Sequence, residues 1–110
     1  GLGVTLFDEA AVRQLVNRPG VLIRDVLPGG AAAEAGLYPS RYDSSSSLVL
    51  GDLLVQMDDK PIRRASDLFS FLQSAEVGQN VKLEVIRGLP TREERVHLEL
   101  TLQALPTASP

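Results

Sequence analysis

His97 is the single histidine of the chain, and a hydroxyl nucleophile of the serine-hydrolase kind needs such a base within hydrogen-bond reach. It falls on the polar side of an alternating run, Val96-His97-Leu98-Glu99-Leu100-Thr101-Leu102, with Arg95, Glu99 and Thr101. That pattern predicts a solvent-facing strand residue, so no catalytic residue is expected. Asp58-Asp59 and Glu93-Glu94 are adjacent pairs. Neighbours in a strand or turn point apart, which makes them turn and surface residues rather than metal ligands. Pro28-Gly29-Gly30 precedes a helical stretch and offers amides to an anion, yet no basic residue lies between Leu27 and Tyr38. Neither a P-loop nor three spaced glycines occur, and no cofactor is expected. Gly1-Leu2-Gly3-Val4 is different in kind, because the amides of a glycine-containing loop converge on a carboxylate and the strand after it can pair with an incoming chain. On residues alone, the same four are equally an ordinary turn or a remnant of cloning.

The elements that must position these residues follow from pattern. Gly3 to Phe7 is β-prone, and Asp8-Glu9 suits the start of a short helical segment running to Leu15. Arg18-Pro19-Gly20 breaks it, and Val21 to Leu27 is a second strand ended by Pro28-Gly29-Gly30. Ala31 to Ala35 reads as a small-residue helix closed by Gly36. The serine-rich stretch Tyr38 to Leu48 lacks a period and is expected to be a mobile inserted loop. Leu53 to Met57 is a buried strand, and Asp58 to Pro61 a turn. Leu68, Phe71, Leu72 and Ala75 stand at helical spacing after Ser66, an expected N-cap, with Asp67 in the first turn, so a helix is predicted over 66–75. Val81 to Ile86 and Val96 to Leu102 form a half-buried hairpin through Arg87-Gly88-Leu89-Pro90. One domain over 1–104 with a flexible tail over 105–110 is the expected organisation.

Bulk properties narrow the function. The 110 residues, 44% hydrophobic and 23% charged, suit one domain with a modest core. Eleven basic against fourteen acidic residues give a net charge of −3, which argues against a nucleic-acid partner. No apolar run approaches the roughly 20 residues of a membrane-spanning helix. The chain has no cysteine, so neither a disulfide framework nor a zinc-thiolate site is available.

Taken in order, Gly1-Leu2-Gly3-Val4, Ala31-Ala32-Ala33-Glu34-Ala35-Gly36-Leu37, Gly51-Asp52-Leu53-Leu54-Val55-Gln56-Met57-Asp58-Asp59-Lys60-Pro61-Ile62 and Val77-Gly78 resemble a PDZ domain of the HtrA/Deg family of serine proteases. The match covers almost the whole chain. Asp59 stands where the family usually has glycine or asparagine. The long segment between Leu37 and Gly51 is similar to the insertion of chloroplast Deg proteases and related bacterial ones. The resemblance implies an α+β, mainly β, PDZ-like partly open barrel or sandwich of five to six strands with two helices. It also implies a role in protein quality control and a site in the chloroplast thylakoid lumen or the bacterial periplasm. The family's protease triad belongs to a separate upstream domain and has no counterpart to map onto here.

On that resemblance, the C-terminal carboxylate of an unfolded or client chain is expected on the loop Gly1, Leu2, Gly3 and Val4, at the amides of Leu2, Gly3 and Val4. Its backbone is expected to pair with Val4, Thr5 and Leu6, and its last side chain to enter a pocket of Leu2, Val4, Phe71 and Leu72. Asp67 is expected to face the third residue from the end. The alternative is a regulatory module that contacts its own protease domain or neighbouring subunits of a homo-oligomer.

Overall fold

A computed structural model describes residues 2–104. Five strands form one antiparallel path: β1 (Val4–Leu6), β2 (Val21–Val26), β5 (Leu53–Met57), β7 (Asn80–Arg87) and β8 (Glu94–Thr101), with β6 (Lys60–Pro61) paired to β5. Strands β3 (Arg41–Tyr42) and β4 (Leu48–Val49) make a separate two-stranded sheet. Three helices accompany them: α1 (Glu9–Leu15), α2 (Ala31–Ala35) and α3 (Ala65–Gln73). This is the α+β, mainly β arrangement the sequence led us to expect.

Side-chain alternation sends the residues of the central strands to opposite faces of the sheet. Val21 and Ile23 of β2, Leu54 of β5 and Val81, Leu83 and Val85 of β7 meet Ala31, Ala32 and Leu68 in the main core. Leu22, Leu53 and Ile86 point the other way and pack with Val12 of α1 and with Leu89. Burial on both faces is why Val21 to Ile23 of β2 and Leu53 to Val55 of β5 read as continuous apolar runs. β8 lies at an end of the path, so Val96, Leu98 and Leu100 pack inward while Arg95, His97, Glu99 and Thr101 are exposed.

Local chemistry fixes the ends of the elements. The Asp8 carboxylate accepts the Ala11 amide at 2.8 Å and caps α1. Gly36 closes α2 at φ 90°, in the left-handed region. Ser66 is not the cap of α3. Arg64 holds that position, and Asp67 accepts the amides of Arg63 and Arg64 at 2.9 and 3.2 Å, which places Ser66 inside the first turn.

The stretch from Tyr38 to Leu48 is a hairpin rather than a loop without structure. Tyr42 faces Leu48 and Arg41 faces Val49 across β3 and β4. Asp43 closes the turn by accepting the amides of Ser45 and Ser47 at 2.8 and 3.0 Å. The carboxylate of Asp43 satisfying backbone amides of the turn, not a hydrophobic period, organises this segment. Similarly, the expected turn over 58–61 narrows to Asp58-Asp59, because Lys60 and Pro61 pair with Met57 and Gln56. The expected tail over 105–110 lies outside the described residues.

Candidate functional site

The N-terminal loop is stitched to the elements behind it. Leu2 is buried and its carbonyl accepts the Ala32 amide at 2.9 Å, while the Gly3 carbonyl accepts the Leu27 amide at 2.8 Å. Gly3 has φ +74°, and a Cβ there would lie 3.4 Å from the Gly30 Cα. A left-handed turn pressed onto the Pro28-Gly29-Gly30 corner is therefore what this position requires. Gly1 lies outside the described residues.

β1 pairs with β2 in the register Val4 to Val26, Thr5 to Asp25 and Leu6 to Ile23, with an irregularity after Thr5. Leu27 donates to Gly3 on one side and Phe7 donates to the Leu22 carbonyl at 3.1 Å on the other. Those bonds make Val4 and Leu6 the non-hydrogen-bonded positions of an antiparallel ladder, so their own N–H and C=O groups turn away from β2. β1 ends the strand path, and among the described residues no strand covers its outer edge. The amides of Leu2, Gly3 and Val4 donate to no loop, turn or cap carbonyl among the described residues.

Beside that edge runs a groove of about 460 Å³ lined by Leu2, Gly3, Val4, Leu6, Leu27, Leu68, Phe69 and Leu72. Every lining residue is apolar or glycine. Leu2 and Leu68 form the buried floor, whereas Leu27 and Phe69 stand 54% and 56% exposed at the mouth, a large solvated apolar area for so small a domain. Thr5 points to the other face and donates its hydroxyl to Asp25.

Of the residues singled out from sequence, the structure brings Leu2, Gly3, Val4, Leu6 and Leu72 to this groove. Thr5 contributes backbone to β1 only. Phe71 and Asp67 go elsewhere, to a second depression with Pro61, Ile62, Ser74 and Ala75. The reason is helical phase: Phe69 and Phe71 flank the Leu68–Leu72 stripe on opposite rims, about 160° apart at 100° per residue. The rim carrying Phe69 turns to β1, and the rim carrying Phe71 packs against the main core. The Asp67 carboxylate is occupied by the two backbone amides at the start of α3. Leu27 and Phe69 also line this groove and were not among the residues singled out from sequence; an apolar residue one step outside a helical stripe, or at a strand's very end, was the available signal.

His97 is exposed, with Nε2 at 3.0 Å from the Glu84 carboxylate, which also pairs with Arg95. Among the described residues no cluster of acids and histidine suits a metal ion. No helix there is long and apolar enough to cross a membrane.

Away from the groove, the described residues include one buried charge to which the sequence reading gave no role. Asp52 is fully buried, receives two bonds from Arg87 and accepts the Tyr38 amide at 2.9 Å. The hydrogen bond to Asp52 raises the Arg87 pKa above its ordinary value, against an opposing effect of burial. Arg87 also donates to the Gly36 carbonyl and lies over the Tyr38 ring, its guanidinium carbon 3.5 Å from the centroid. The end of α2, the start of the hairpin and the end of β7 are thereby joined.

The PDZ domain family profile matches residues 1–100. The chain is 36% identical over 100 residues to Protease Do-like 8, chloroplastic, of Arabidopsis thaliana, covering 90% of the chain and 22% of that protein. It is 33% identical over 108 residues to Protease Do-like 1, chloroplastic, of the same plant, covering 98% and 24% respectively. Against the periplasmic pH-dependent serine endoprotease DegQ of Escherichia coli it is 27% identical over 101 residues, 92% of the chain and 20% of that protein. The chain thus spans about a fifth to a quarter of the length of these relatives.

Proposed function

The chain belongs to the PDZ family, and from that premise we propose that it captures the C-terminal tail of an unfolded or client polypeptide by adding it as a strand to the outer edge of β1. The observation that carries this reading is the uncovered edge of β1 beside an apolar groove closed by α3. A tail laid antiparallel to β1 meets the outward N–H and C=O groups of Val4 and Leu6, which supplies a backbone ladder independent of the tail's sequence. Its carboxylate ends at the amides of Leu2, Gly3 and Val4, a concave run of donors suited to an anion. Its last side chain enters the groove between Leu68, Leu72 and Phe69, where burial of apolar area rewards an aliphatic or aromatic terminus.

The relatives named as proteases support a wider reading. This domain serves as the substrate-handling part of a serine endoprotease of the Do-like kind, acting in protein quality control in the thylakoid lumen or a periplasm. Affinity measurements with paired peptides test the capture step. A tail with an apolar last residue binds as the free acid and loses most of its affinity as the C-terminal amide; equal binding of the two forms overturns the carboxylate loop.

A second reading is favoured by the hairpin β3–β4, which carries Tyr42 at 72% exposure. Such a surface suits contact with the protease domain or a neighbouring subunit in a homo-oligomer. In the full-length protein, Tyr42→Ser then changes the assembly while leaving tail affinity intact. An unchanged assembly removes this reading.

A further inference from the structure

A further depression, of about 440 Å³ and distinct from the one that holds Phe71 and Asp67, lies between α1, the turn after it and the residues preceding α3, and shares no lining residue with the apolar groove. Arg13, Arg18, Arg63 and Arg64 converge on it. Four of the eleven basic residues and only one of the fourteen acidic ones, Glu9, line this place, so it carries a formal +3 while the rest of the chain carries −6. Such segregation of charge is a property of surfaces that attract a partner of opposite sign.

Two of the four arginines are also without an ion-pair partner among the described residues. Glu9 approaches Arg13 only to 3.9 Å, with both side chains well exposed, and Arg18 pairs with Glu93 at 2.6 Å. Among the described residues the side chains of Arg63 and Arg64 form no ion pair. Their backbones are fixed nevertheless: the Arg63 carbonyl accepts the Gly20 amide at 3.0 Å, and Asp67 takes both of their amides. Guanidiniums without an ion-pair partner, carried on a fixed backbone, are planar, two-pronged donors of the kind that suits carboxylates. Buried Val12 and exposed Pro19 add apolar surface to the lining.

We propose that this depression docks an acidic polypeptide segment, a loop or linker bearing two or three Asp or Glu residues, independently of the groove at β1. A nucleic acid or an anionic membrane suits it less well, because either would extend past the depression onto faces that carry −6.

The test uses this 110-residue chain and a fluorescent peptide rich in Glu and Asp, amidated at its C-terminus so that the carboxylate loop is not engaged. The expected result is saturable binding that weakens as salt rises from about 50 to 300 mM, as exposed charge pairs are screened. A Gln/Asn version of the peptide should not bind. The charge reversals Arg63→Glu and Arg64→Glu together should lower affinity at least about tenfold, and Arg13→Gln with Arg64→Gln should lower it less. Thermal melts of both variants, expected to match the parent, separate lost binding from lost folding. Binding that survives charge reversal in a folded variant overturns the proposal, as does tighter binding of a short oligonucleotide or an anionic vesicle than of the peptide.

Discussion

Arg87 grips Asp52 with two parallel bonds, Nε to Oδ1 and one terminal nitrogen to Oδ2, each 2.9 Å, and the carboxylate they hold has no exposure to solvent. A buried charge with its partner removed is costly, whereas the intact pair contributes little beyond an apolar substitute. Arg87→Ala should therefore lower stability by about 3 kcal/mol, read by urea unfolding. A loss below about 1 kcal/mol would mean that water or a neighbour replaces the guanidinium. The sign of the pH effect follows from the raised pKa of Arg87. Its contribution is complete below the unfolded value and is lost only as pH climbs through the folded one, so Arg87 adds no pH dependence until the strongly alkaline range of guanidinium titration.

Phe69 and Phe71 give a pair of opposite expectations. Phe69 is 56% exposed at the groove mouth, so Phe69→Ala should leave the melting temperature nearly unchanged and weaken tail binding several-fold. Phe71 is half-buried against the main core, so Phe71→Ala should cost about 2 kcal/mol of stability, less than a fully buried phenylalanine. Its effect on tail affinity should be smaller than that of Phe69→Ala. Calorimetric titration beside thermal unfolding reads both; a larger affinity loss at Phe71 would return the pocket to the other rim of α3.

Much of this organisation was legible in the sequence because it rests on local rules. The alternation of Val96, Leu98 and Leu100 placed β8, and Gly36 marked the end of α2 through its left-handed conformation. The loop before β1 was legible as a candidate through its glycines. What failed was anything that depends on how elements meet. The stripe Leu68–Phe71–Leu72–Ala75 fixes a helix but not which rim faces β1, and only packing against two different neighbours separates Phe69 from Phe71. Asp67 reads as a charge available to a ligand until the chain's approach to α3 delivers two amides to it. The Ser44–Ser47 tract has no hydrophobic period, and the hairpin it belongs to depends on Asp43 satisfying two amides. Asp52 and Arg87 lie 35 positions apart in the sequence, a pairing no spacing rule reaches.

Gly3→Ala tests the loop itself. A side chain at φ +74° costs about 1–2 kcal/mol in backbone strain, with a further close approach to the Gly30 Cα. Stability should fall by that amount, and tail affinity should fall as well because the amides of Gly3 and Val4 shift. A variant with unchanged stability would show that the turn tolerates another conformation.

Strand addition at β1 is tested most directly by NMR of the chain bound to a peptide with a free C-terminal carboxylate. The account predicts nuclear Overhauser contacts between peptide Hα protons and the backbone of Val4 and Leu6, slowed amide exchange at those two residues, and side-chain contacts with Leu68, Phe69 and Leu72. Peptide contacts confined to other faces, with the Val4 and Leu6 amides exchanging as fast as in the free domain, would contradict it.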